Sequence, residues 1–186
     1  MENHGIVSAK EALEKLKAGN EKYINSGTGT GDISPRIRLH TYQNGQKPYA
    51  IVIGCSDSRV IPESIFSAGI GDLFVVRTAG NVIDNLQLGS IEYAVDHLGC
   101  RLIVVLGHTN CGAVYAALKS SPTGYAKYIT DEIKRAIGTE RDYQKACCLN
   151  IRRSISVIEQ HIPMEDGLKV VGALYHIDNG RVDFDF

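Results

Sequence analysis

The chain has 186 residues, a length that suits one domain of about 100–200 residues and hides roughly 70% of the unfolded surface on folding, so a core forms without disulfide or metal staples. The 20 Lys and Arg against 21 Asp and Glu leave a formal charge of −1, which gives no single-sign field to hold nucleic acid or an anionic membrane. With 44% hydrophobic and 22% charged residues, the composition lies outside the disordered and fibrous classes.

Met1 to Gly5 has no basic segment leading into an apolar one, and no apolar run approaches 18 residues. A cytoplasmic protein is expected, and there an odd set of five cysteines points to metal, catalysis or buried thiols before a disulfide framework. Ser8-Ala9-Lys10-Glu11 is a capping box that opens a helix to about Ser26. Gly27 to Gly31 is a flexible stretch, and Ser34-Pro35 to Gly45 is polar and basic without periodicity, an arm rather than a second domain. Three continuous apolar runs follow, Tyr49 to Gly54, Leu73 to Val76 and Leu102 to Gly107, as strands buried on both faces of a parallel sheet read. Leu88, Ile91, Val95 and Leu98 recur at helical spacing and predict a crossover helix between the second and third. Further helices are expected over Ala113–Lys119, Gly124–Ile137 and about Glu140–His161. Leu168–Ile177 and Arg181–Phe186 form a hairpin, with Asn179-Gly180 signalling a two-residue type I′ turn. The expected division is one domain, 1–186, with a helical arm and linker over 1–45 and an α/β core over 46–186.

In open α/β sheets, ligands sit beyond the carboxyl ends of strands where the strand order reverses. Cys55-Ser56-Asp57-Ser58-Arg59 follows the first run and His108-Thr109-Asn110-Cys111-Gly112 follows the third. If those strands are neighbours, two thiols, one imidazole and one carboxylate converge. Such a set suits zinc, which takes cysteine sulfur and histidine nitrogen in tetrahedral array and keeps a fourth position open in catalytic sites. Each residue alone has a plainer reading: a buried strand-end thiol, a hydrogen-bonded histidine, a loop ion pair. Their joint placement at one sheet edge favours the metal. Asp57 can accept a hydrogen bond from a hydroxide on such a zinc or take the fourth position itself, and Arg59 can hold Asp57 ionised and off the metal.

The remaining candidates carry less. Cys100 reads as packing, and Cys147 and Cys148, adjacent on a helix, point about 100° apart and do not chelate together. His4, His40, His97, His161 and His176 share no ligand spacing. Ala68 to Asp72 lacks the full dinucleotide fingerprint, and no phosphate-binding P-loop occurs.

The sequence resembles the β-class carbonic anhydrases. The resemblance rests on Cys55 to Arg59 and Gly107 to Gly112, joined by Gly71 to Asn81 and Ile91 to Val95, with weaker likeness in Ala12 to Asn20, Asn150 to Ser154 and Val171 to Val182. It implies reversible hydration of CO2 to bicarbonate and a proton by a hydroxide on zinc, with one Zn2+ per chain on Cys55, His108 and Cys111. It further implies that Asp57 and Arg59 form the catalytic dyad, the aspartate itself ligating zinc in closed members. Gln46, Phe74, Tyr93 and Gly112 match substrate-pocket positions. The implied fold is a mostly parallel sheet of order 2-1-3-4 with an appended antiparallel C-terminal strand, flanked by helices. The implied assembly is a homodimer or tetramer that shares pocket residues across the interface. The chain has no Trp, so the bicarbonate pocket that one subgroup builds with a tryptophan is not expected. Two alternatives stand beside this reading: hydrolysis of carbonyl sulfide or carbon disulfide on the same fold, and a non-catalytic zinc or thiol-sensing protein.

Overall fold

The computed structural model describes residues 7–26, 31–120 and 122–184. The N-terminal residues 1–6 with His4, the glycine-rich residues 27–30 and the last two residues of the hairpin lie outside the described residues.

Five strands form one sheet in the order β2-β1-β3-β4-β5. β1 (Ala50–Cys55) and β3 (Leu102–His108) are buried at every position, as continuous apolar runs require. β2 (Leu73–Thr78) runs parallel to β1, with Cys55 opposite Thr78, and β3 lies on the other side of β1, with Gly54 opposite Leu106. β4 (Lys169–Tyr175) is parallel to β3, and β5 (Val182–Phe184) is antiparallel to β4. The expected topology is borne out, and it sets the ends of the first and third strands side by side.

Successive strand side chains point to opposite faces, which divides the core in two. Ile51, Ile53, Ile103 and Val105 pack against α4 (Asn85–Asp96), α5 (Gly112–Lys119), α6 (Ala126–Ile137) and α7 (Tyr143–His161) through Ile91, Val114, Ile133, Ile151 and Ile158. Ala50, Val52, Val104 and Leu106 pack against Ala12 and Leu16 of α1 (Ala9–Ser26) and against Phe66. Ile133, Ile151 and Ile158 are fully buried, and each contributes roughly 2 kcal/mol from apolar area removed from water. The capping box of α1 is present, with the Ser8 N–H and Oγ donating to Glu11 and the Glu11 N–H donating to Ser8 Oγ. Among the described residues, no helix is long and apolar enough to cross a membrane.

Three local expectations change. The arm holds a helix, α2 (Pro35–Asn44), begun by Ser34, whose Oγ accepts the Ile37 N–H, and by proline in the first turn. None of its residues is buried, so no apolar stripe marked it in the sequence. A single turn, α3 (Pro62–Ile65), follows the first strand. The hairpin turn is longer than a two-residue link: Tyr175 pairs with Val182, and the Gly180 N–H donates to His176 O at 2.8 Å. Gly180 has φ +82, whereas Asn179 is not among the residues of positive φ, and a type I′ turn needs positive φ at both central positions.

Candidate metal centre

Cys55 ends β1, His108 ends β3, and Cys111 caps α5 three residues later. All three are buried, and their ligand atoms lie within 4.8 Å of one another. His108 Nδ1 is 2.8 Å from the Thr109 carbonyl, an oxygen that can only accept, so the proton sits on Nδ1 and the Nε2 lone pair faces inward. That Nε2 is buried and has no hydrogen-bond partner among the described residues. A buried acceptor left unpaired costs about 1–3 kcal/mol, a cost that a bound cation removes.

The two thiols fit the same ion. Hydrogen bonding from Cys111, with help from the Asp57 and Gly80 N–H groups, holds Cys55 well below the ordinary thiol range against its burial; the Cys55 thiolate in turn pushes Cys111 up. One proton shared by two sulfurs is what a pair of this kind holds without metal. A divalent ion lets both deprotonate. Soft sulfur and imidazole donors in this number suit zinc.

Asp57 stands at the rim with its carboxylate in a fork. Oδ1 accepts the Arg59 N–H at 3.0 Å and Nε–H at 2.9 Å, and Oδ2 accepts Nη2–H at 2.8 Å. The Arg59 side chain lowers the Asp57 carboxyl far below the usual range. Oδ2 is also 4.0 Å from His108 Nε2, so one carboxylate oxygen faces the cluster while Arg59 keeps the group anionic. Arg59 Nη2 donates as well to Asn110 O at 3.1 Å, which ties the dyad to the loop carrying Cys111.

The predicted pocket residues are placed less uniformly. Phe74 on β2 and Tyr93 on α4 meet with ring centroids 6.2 Å apart. Gln46, just past α2, and Gly112, the first residue of α5, are exposed. Cys100 donates its thiol hydrogen to Pro48 O at 3.2 Å, and Cys147 and Cys148 sit in α7; among the described residues none of the three joins the metal group.

Several residues that hold the site went unread in the sequence. Arg77 spans the Cys55–Asp57 turn, its Nε donating to Cys55 O at 2.9 Å and its Nη2 to Asp57 O at 2.7 Å. A charged residue near the end of an otherwise apolar strand was the available signal. The Gly80 N–H donates to Cys55 Sγ at 3.2 Å, and the Tyr143 hydroxyl donates to Cys111 O at 2.9 Å.

Fold and site together define an α/β protein with a candidate metal centre of two cysteines and one histidine at the switch point of a parallel sheet. The carbonic anhydrase family profile matches residues 50–182. Carbonic anhydrase 2 of Mycobacterium tuberculosis is 38% identical over 97% of this chain and 93% of its own length. The β-carbonic anhydrase CafA of Aspergillus fumigatus superposes with a TM-score of 0.73 at 28% identity, covering 95% of this chain and 89% of its own. A tetrameric β-carbonic anhydrase of Sordaria macrospora gives a TM-score of 0.73 at 26% identity, over 94% and 95% of the two chains. The chain belongs to the β-class carbonic anhydrase family.

Proposed function

We propose that the protein catalyses the reversible hydration of CO2 to bicarbonate and a proton, with one zinc ion held by Cys55, His108 and Cys111 and with Asp57 and Arg59 as the catalytic dyad. The observation that carries this reading is the orphaned, buried His108 Nε2 within ligand reach of two thiols and 4.0 Å from an arginine-held carboxylate. Zinc in such a site supplies Lewis acidity that brings the pKa of a water near 7. Asp57 Oδ2, which faces the cluster, would accept the hydrogen bond that orients the oxygen nucleophile such a zinc would supply towards the carbon of CO2. Arg59 keeps both carboxylate oxygens occupied from the outer side, so Asp57 neither takes a proton nor turns onto the metal. Arg77 holds the backbone of the turn against the pull of either partner.

The proposed working form is a homodimer or a multiple of it, in which Gln46, Phe74, Tyr93 and Gly112 line the CO2 pocket. An edge strand β2 of mostly half-buried residues and a helix α2 with Leu39 and Tyr42 exposed support a second copy covering these surfaces. The five unpaired cysteines support a reducing, cytoplasmic setting.

Stopped-flow hydration of CO2 by zinc-loaded protein, set against turnover of carbonyl sulfide on the same sample, tests the reaction. Rapid CO2 hydration with little sulfur-substrate turnover is expected. A large preference for carbonyl sulfide, or no hydration at pH 7 and at pH 9, would overturn it.

A further inference from the structure

Buried polar side chains are costly unless paired, so each one calls for a reason. Among the described residues, three of the six buried polar ones, Asn81, Asn150 and Ser154, meet at one place, between α7 and the turn Ala79–Asn81. Asn150 Nδ2 donates to Gly80 O at 2.7 Å, Ser154 Oγ donates to Asn81 O at 3.0 Å, and Asn81 Nδ2 donates to Ser154 Oγ at 3.4 Å. Asn20, another of the six, closes α1 onto the hairpin and α3 and bonds no residue of the metal group. The α7 cluster instead ends on a metal ligand.

Gly80 and Asn81 both have positive φ, +66 and +48. For Asn81 that conformation is strained and persists only where its surroundings fix it. With its φ of 66 and ψ of 22, Gly80 turns its N–H onto Cys55 Sγ at 3.2 Å and its carbonyl onto Asn150. A Cβ there would stand 2.8 Å from Ile133 Cδ1 and 3.0 Å from Ala113 Cβ, so the turn is also enclosed from outside. A hydrogen bond to a thiolate draws charge from sulfur and sets both its direction and its strength as a ligand.

We infer that Asn150 is a positioning residue for the metal centre: by gripping the Gly80 carbonyl from α7, it holds the Gly80 N–H on the Cys55 sulfur. The inference rests on Cys55 being a zinc ligand. Asn150→Leu keeps the side-chain size and removes the donor. Two readouts apply: the zinc dissociation constant by chelator competition, and the thiolate-to-metal charge-transfer band of the cobalt(II)-substituted protein. Loss of a hydrogen-bonded support behind a ligand weakens metal binding by about 10- to 100-fold, and the band is expected to move in energy. Ile158→Val, two turns further along α7 and fully buried, is expected to lower the melting temperature while leaving both readouts at wild-type values. If the leucine variant is recovered unfolded, Asn150→Ser is judged by the same criteria. A folded Asn150 variant with zinc affinity within twofold of wild type and an unmoved band overturns the inference, as does an equal band shift in Ile158→Val. Cys55→Ala separates the two failures, because full zinc retention there overturns the ligand set itself.

Discussion

Arg59 does two things from one guanidinium: it forks the Asp57 carboxylate and reaches the Asn110 carbonyl. Neither contact is to a proposed ligand atom. Arg59→Ala is therefore expected to keep one zinc per chain while CO2 hydration falls by about 10²-fold or more, the scale of a lost proton-handling group; loss of zinc in that variant would contradict the assigned role. Arg59→Lys is expected to recover little, since an ammonium cannot reproduce the fork. The depressed Asp57 carboxyl also sets a sign. A carboxylate whose folded pKa is lowered contributes stability above its ordinary value near 4 and loses it as pH falls through the folded value. The stability gap between wild type and Asp57→Asn in urea titrations should thus be present at pH 6 and shrink below about pH 4. A gap independent of pH would contradict the ion pair. At this scale the sequence is legible where chemistry is contiguous, as in Cys55 to Arg59 and His108 to Cys111. It is silent on Arg77, Gly80 and Asn150, whose contacts join residues 20 to 70 positions apart and run through backbone atoms that leave no pattern.

The strands of the buried sheet are legible because burial on both faces demands continuous apolar runs, and the long helices because one face must meet that sheet. α2 is not, since an exposed helix has no side to mark with apolar residues. The hairpin turn is misread because His176 and Arg181 extend the ladder past the strand ends: the His176 N–H donates to Arg181 O, and Gly180 alone takes the left-handed position. Close approach of α7 to β3 gives a prediction for elements. A Cβ on Gly107 would meet Ile151 Cδ1 at 2.5 Å, one residue before His108. Gly107→Ala should destabilise by about 1–3 kcal/mol, as overpacking does, and because Ile151 Cγ1 stands as close, at 2.6 Å, adding Ile151→Ala, which removes both atoms, should cost less than the sum of the two single losses. Additive losses in the double variant, measured by urea unfolding, would show that the helix moves freely and does not fix the strand end.

For the whole molecule, β2, which carries Phe74, leaves one flank unpaired among the described residues, and α2 exposes Leu39 and Tyr42. If a second copy covers that flank and completes the pocket, activity per chain depends on association. Tyr42→Asp, at a residue 87% exposed in the single chain, should leave the chain folded and zinc-loaded, shift sedimentation towards monomer, and lower CO2 hydration at concentrations where wild type is fully active. A monomeric variant of undiminished activity would show that one chain holds a complete pocket. The five cysteines, the feature that length and composition left unexplained, divide by place: two at strand and helix ends around an orphaned imidazole, three packed in the interior or in α7. That division is the central claim, and X-ray absorption at the zinc edge of the wild-type protein tests it most directly. Two sulfur scatterers at about 2.3 Å with an imidazole nitrogen at about 2.0–2.1 Å, the sulfur count falling in Cys111→Ala, is the predicted result. A zinc shell without sulfur, or one unchanged in Cys111→Ala, would contradict it.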